Sequence, residues 1–140
     1  MIQRYFTASY KEGGRGPKEF DCWGMTRAAR HELYGLPLLP SYGAVDPDNK
    51  LELTRAAHHC FNNHIKKASP KPGSIVTCWR GKLCLHIALV VELNGRLGVF
   101  EIDKGISPHW QLLSDFESRF LKVEYYDDRD ISQYAARPAD

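Results

Sequence analysis

Long apolar runs are missing from this 140-residue chain, and so is a strong charge of either sign. The longest apolar stretches fall far short of a membrane span, so no membrane insertion is expected. Net charge is +2 and the longest basic run is Lys66-Lys67, which gives no electrostatic footprint for nucleic acid. The N-terminus, Met-Ile-Gln-Arg-Tyr-Phe-Thr, has no apolar h-region; no secretory signal is visible, and folding in the cytoplasm is expected. Cys-x-x-Cys and His-Glu-x-x-His are both absent. Cys60 with His64 at helical spacing, and Cys84 with His86 on one strand face, are the pairings left for a metal, and no metal is expected. Cys22, Cys60, Cys78 and Cys84 are expected as reduced thiols in that compartment. A Cys78–Cys84 bridge across a turn at Arg80-Gly81-Lys82 is the weaker alternative. There is no internal repeat and no low-complexity segment.

What is present suits one packed domain: 43 % of residues are hydrophobic and 26 % charged. Residues 3–9 suggest a short helix. A longer one is predicted over 21–34, with Gly35 at its C-terminal end and Pro37 and Pro40 stopping it. Residues 36–50, rich in Pro, Asp and Asn, read as an ordered surface loop. A second helix is predicted over 51–65, capped by Asp48 or Asn49. After a turn at 69–73 the pattern becomes β: a strand at 75–79, another at 83–93, a hairpin turn at Asn94-Gly95, and a partner strand at 97–102. Residues 107–121 suggest a short helix or irregular segment, and 123–126 a last strand. The domain is expected over 1–126, with a polar tail over 127–140. Helices first and an antiparallel meander afterwards make an α+β arrangement, with helices packed on one side of a central sheet.

The chemistry concentrates at residues 13–24, Gly-Gly-Arg-Gly-Pro-Lys-Glu-Phe-Asp-Cys-Trp-Gly. Cys22 follows a glycine-rich loop and opens the first long helix. There the exposed backbone N–H groups favour thiolate over thiol, which makes Cys22 a candidate nucleophile. A nucleophilic thiol needs a base, and the base needs an orienting group. His31 lies about two and a half helical turns from Cys22, too far to reach it. His58, His59 and His64 fall on a surface helix, and His109 follows Pro108 in the irregular stretch. His86 is different, since it interrupts the apolar strand Leu-Cys-Leu-His-Ile-Ala-Leu-Val-Val. A buried imidazole requires a partner. A two-residue turn at Asn94-Gly95 pairs position i with 189 − i, so His86 faces Asp103, and Glu101 sits one diagonal step away on the same face. Both carboxylates are candidates to orient His86. A bulge would change the register.

Tyr10-Lys11-Glu12-Gly13-Gly14, Phe20-Asp21-Cys22-Trp23-Gly24-Met25, Pro72-Gly73-Ser74-Ile75 and His86-Ile87-Ala88-Leu89-Val90 resemble the successive motifs of the NlpC-type cysteine peptidases. The resemblance covers about residues 4–105. It implies a papain-like fold and thiol acyl transfer on peptidoglycan stem peptides without a cofactor. Cys22 would be the nucleophile and His86 the base, with Glu101 where a histidine is commoner and Asp103 as its competitor. Tyr10 matches a tyrosine beside the nucleophile, and Asp21 an acid that receives the ammonium of a stem peptide. A packed tyrosine and a helix N-cap are the other readings of those two residues. Trp23 replaces a common serine and Ser74 the usual aspartate. The Asp-Cys-Trp-Gly form, with Tyr34-Gly35-Leu36-Pro37 behind it, most resembles the subgroup encoded in phage and prophage tail modules. A tail-associated endopeptidase, contacting tail-tip proteins and acting at the bacterial cell wall, is therefore expected. A tail-tip structural protein with vestigial catalysis, or a bacterial amidase effector, is the alternative.

Overall fold

A computed structural model describes residues 2–129. The chain begins with α1 (Gln3–Phe6), then β1 (Ser9–Tyr10) and β2 (Glu19–Phe20), a small parallel pair that closes the glycine loop between them. Next come α2 (Cys22–Tyr34), α3 (Lys50–Asn63) and β3 (Ile65–Lys67). The meander follows as β4 (Ile75–Arg80), β5 (Leu83–Leu93), β6 (Arg96–Asp103) and β7 (Ile106–Leu112). The described chain ends with α4 (Leu113–Glu117) and β8 (Lys122–Asp128). The six longer strands form one antiparallel sheet in the order β3-β8-β4-β5-β6-β7. This is an α+β fold with its N-terminal helices laid on a central antiparallel sheet, as expected.

Helix α2 starts and stops for local reasons. Asp21 caps its N-terminus by accepting from the Gly24 N–H at 2.8 Å, and Gly35 ends it in a left-handed conformation at φ 64°. Asn49, rather than Asp48, caps α3 through the Glu52 N–H. The Asn94-Gly95 turn has positive φ at both residues, 52° and 77°. It sets Leu89 opposite Phe100 and Leu93 opposite Arg96, the predicted register.

Strand β5 is buried on both sides, which is why its apolar run is continuous rather than alternating. Ile87, Leu89 and Val91 face the core under α2 and α3, with Met25, Ala29, Leu53 and Ala57. Ala88 and Val90 face the other side, against Val76, Cys78, Val99, Phe116 and Tyr125. Helix α4 contributes Phe116 there, so the helices are not confined to one side of the sheet.

Other expectations are corrected. Residues 106–112 form an edge strand, not a helix or irregular segment; Pro108 is tolerated because the edge leaves its missing N–H unneeded. The last strand does not stop at Tyr126. Asp127 and Asp128 belong to β8 and are buried, because the guanidinium of Arg30 on α2 receives them. Arg30 is 1 % exposed; it donates to Asp128 at 2.7 and 3.2 Å, to Asp127 at 3.2 Å and to the Gly73 carbonyl at 2.7 Å. Residues 130–140 of the expected tail lie outside the described residues. The first helix is four residues long, and β1, β2 and β3 are too short for the sequence pattern to have announced them. Cys78 and Cys84 lie in different core clusters.

Removing one partner of a buried, hydrogen-bonded charge cluster leaves the others unpaired. Arg30→Met is expected to lower unfolding free energy by about 3–5 kcal/mol in urea titrations. A change below about 1 kcal/mol would show that this cluster does not hold α2 to β8.

Candidate active site

The glycine loop and the start of α2 are locked together by charge. The Asp21 carboxylate is 1 % exposed. One oxygen accepts from Gly24 N and from Arg15 Nη1 at 2.7 Å; the other accepts from Gly13 N at 3.0 Å. Arg15 also donates to the carbonyls of Gly14, Ser41 and Tyr42, tying the loop before α3 to the same point. Asp21 is thus a helix cap, buried and holding three donors. Gly24 is required by contact: a Cβ there would lie 2.0 Å from the Gly14 carbonyl oxygen.

Cys22 is the first residue of α2 and is 3 % exposed. Trp23, in place of a serine, is buried and donates its indole N–H to the Pro40 carbonyl at 3.0 Å, so it pins the loop after α2. Ser74 is buried in the turn before β4, accepting from Lys71 N and donating to the Ser69 carbonyl. Tyr10, on β1, is half-buried. Burial first, then the nearby charges of Cys22, Asp48, Asp21 and Asp103, push its phenol upward, so it remains an O–H donor beside Cys22.

His86, on β5, is 2 % exposed. Its Nε2 lies 2.8 Å from Glu101 Oε1. Its Nδ1 is, among the described residues, the one buried side-chain polar atom without a hydrogen bond. Asp103 Oδ2 is 3.6 Å from that nitrogen, beyond hydrogen-bond reach, and its Oδ1 accepts from Lys104 N. Glu101 and Asp103 therefore do not compete for one nitrogen: Glu101 holds Nε2, and Nδ1 is left without a bond. Burial alone would lower the titration of His86; the nearby Cys22, the bonded Glu101 carboxylate and the charge of Asp103 outweigh it and raise it to about 10. Burial likewise opposes the charge on Glu101, but its bonds to His86 and Arg119 lower it to about 2.

Two neighbours of Glu101 were missed in the sequence. His109 Nε2 lies 2.9 Å from Glu101 Oε2, and Arg119 Nη1 bonds the same oxygen. The Lys104-Gly105 turn alone would set Glu101 opposite Pro108; a register shift between Glu101 and Asp103 sets it opposite His109 instead, and the sequence carries no signal for that shift. Arg119 follows α4 and had no periodic signal at all. Phe120, next to it, stacks on the His86 ring with centroids 6.3 Å apart.

Cys84 and His86, considered together for a metal, do not share a strand face. Leu85 is skipped in the β4–β5 register, where Cys78 pairs with His86 and Trp79 with Cys84. This bulge puts Cys84 in the core under the helices rather than on the face of His86. Among the described residues, the one group of three ligand-type side chains within coordinating reach is Glu12, Asp46 and Asp48, all exposed, with Lys104 already on Asp48. Between α2, α3 and the sheet lies an apolar cavity of about 490 Å³ including its mouth, bordered by Trp23, Tyr42, Leu53, Phe61 and Ile87.

Two outcomes follow. Gly24→Ala is expected to lower thermal stability and slow alkylation of Cys22 by iodoacetamide, since the glycine loop must move; an unchanged melting temperature would contradict the contact. For His86, the folded value stands above its ordinary 6.5. The stabilisation given by the charged ring is then full below about 6.5 and is lost as the pH rises through about 10. In urea unfolding, the gap between wild type and His86→Gln should be widest near pH 6 and close toward pH 10; a gap that widens over that range would refute the assignment.

The NlpC/P60 family model matches residues 7–130. No curated protein and no solved structure matches the chain. The matched span takes in the capped Cys22, the His86 strand, Glu101 and β8 through its last residue. The chain belongs to the NlpC/P60 family, whose members are in general cysteine peptidases or amidases acting on peptidoglycan.

Proposed function

We propose that this protein hydrolyses amide bonds in peptidoglycan stem peptides by thiol acyl transfer. The observation that carries the reading is the unpartnered Nδ1 of His86, with Glu101 on Nε2 and Cys22 among the groups that act on the ring. Cys22 thiolate attacks the amide carbonyl, forming the C–S bond. The oxyanion is received by the Cys22 backbone N–H and the Tyr10 hydroxyl. His86 imidazolium gives its Nδ1 proton to the departing amine as the C–N bond breaks. Neutral His86 then takes a proton from water, whose oxygen attacks the thioester and releases the acid and Cys22. Glu101 keeps the ring oriented through both steps. No step calls for a cofactor.

The Asp21-Cys22-Trp23-Gly24 and Tyr34-Gly35-Leu36-Pro37 stretches support a place in a phage tail, with tail-tip proteins as neighbours and the host cell wall as the site of action. The burial of Cys22 and His86, at 3 % and 2 %, favours a second reading in which a tail-tip subunit keeps this catalysis latent until the cleft opens.

Incubation with peptidoglycan fragments, followed by mass spectrometry, tests the chemistry. Stem-peptide cleavage is expected from the wild type and a loss of at least about 10³-fold from Cys22→Ala and from His86→Ala. Cleavage that survives Cys22→Ala would refute the mechanism. Absence of cleavage by the wild type, with tails assembling normally around Cys22→Ala but not around a deletion, would favour the structural role.

A further inference from the structure

Glu101 is the most heavily engaged carboxylate near the site, and the proposed reaction uses only one of its contacts. Its side chain is fully buried on β6. Oε1 meets His86 Nε2 at 2.8 Å. Oε2 meets His109 Nε2, from the edge strand β7, and Arg119 Nη1, from the turn after α4. Arg119 Nη2 also reaches Oε1 at 3.3 Å. Arg119 is itself fixed: Nη1 donates to Gln111 Oε1, and its guanidinium lies 5.0 and 5.2 Å over the rings of Phe116 and Phe120. Phe120 in turn stacks on His86. A ring of contacts therefore runs from His86 through Glu101 and Arg119 to Phe120 and back to His86.

A carboxylate with one partner can rotate about its last side-chain bond, and a buried one is driven toward the neutral acid. A neutral Glu101 would carry a proton of its own toward Nε2 and favour the wrong tautomer of His86. Both failures are blocked by donors on Oε2. We propose that Arg119, assisted by His109, is a positioning residue for the Cys22–His86 pair: it holds Oε2 of Glu101 so that Oε1 stays on His86 Nε2. This rests on the reading of Cys22 and His86 as the reacting pair. A Glu–Arg–His clamp of this kind replaces the single polar residue that usually orients the base, and it draws on β7 and on the turn after α4 to do so.

The test uses two readouts on the full chain. The first is proton NMR of the downfield imidazole N–H signals, which needs no substrate. The signal of His86 Nε2–H, identified as the one lost in Glu101→Gln and kept in His109→Gln, should persist in Arg119→Lys and move upfield or broaden away in Arg119→Met. The second is hydrolysis of peptidoglycan fragments. Arg119→Met should lower kcat about tenfold with KM changed less than about twofold, Arg119→Lys should recover part of the loss, and His109→Ala should lower kcat about threefold. An unmoved N–H signal in Arg119→Met, or a loss confined to KM, would overturn the proposal. Should Arg119→Met not fold, the signal in His109→Ala decides: broadening supports the clamp, and no change opposes it. If the wild type cleaves nothing, the functional reading falls, while the N–H signal still decides whether Arg119 positions Glu101.

Discussion

The Asn94-Gly95 turn determines which side chains of β5 and β6 stand against one another, and the candidate site depends on that register. With Leu89 opposite Phe100, the same pairing carried one step further sets Glu101 against Ala88, one diagonal step from His86, whose Nε2 it meets at 2.8 Å. A slip of one residue would turn His86 or Glu101 to the other face of the sheet. The turn is firm because both central residues take positive φ, which Asn and Gly accept at little cost. The bulge at Leu85 acts in the same strand but with the opposite sense. It moves Cys84 off the face that His86 occupies, so the strand presents an imidazole to the site without a second thiol.

The other half of the site comes from α2, and that helix is fixed near both ends by buried charge. At its start, Asp21 accepts from Gly24, Gly13 and Arg15, so the cap also anchors the glycine loop. In its later turns, Arg30 joins Asp127 and Asp128 at the end of β8, nearly a hundred residues away. Buried ion pairs of this kind contribute less net stability than their Coulomb energy suggests, because desolvation opposes them. Their contribution here is geometric: Cys22 cannot drift along the sheet while both ends are tied. Trp23 adds a third restraint through Pro40.

Burial disfavours the charged forms of three core thiols and of His86 and Glu101, and the hydrogen-bond partners decide the outcome. For Cys60 and Cys84 burial wins, raising the thiols to about 11 and about 12, and it raises Cys78 further. For Glu101 and His86 it loses, because each is the other's partner and further charges adjoin them. The contrast separates three inert core thiols from a charged His86–Glu101 pair beside the fourth.

Much of this was legible along the chain. Capping residues, the Asn-Gly turn and the apolar run of β5 are local signals, and they placed α2, β5, β6, Cys22 and His86 closely. The strand at 106–112 was not legible because Pro108 and His109 interrupt its pattern, and edge position is a property of the sheet. Asp127 and Asp128 read as a polar tail because nothing near them in sequence announces Arg30. The sequence by itself determined the turn register and the helix start, since both rest on backbone preferences spanning a few residues. Only the tertiary structure set Glu101 on His86 Nε2 with Asp103 out of hydrogen-bond reach of Nδ1, buried Asp21 as a three-donor cap, and brought His109 and Arg119 to Glu101. Those outcomes depend on which buried donors meet which acceptors, and such meetings are made across strands and between elements distant along the chain.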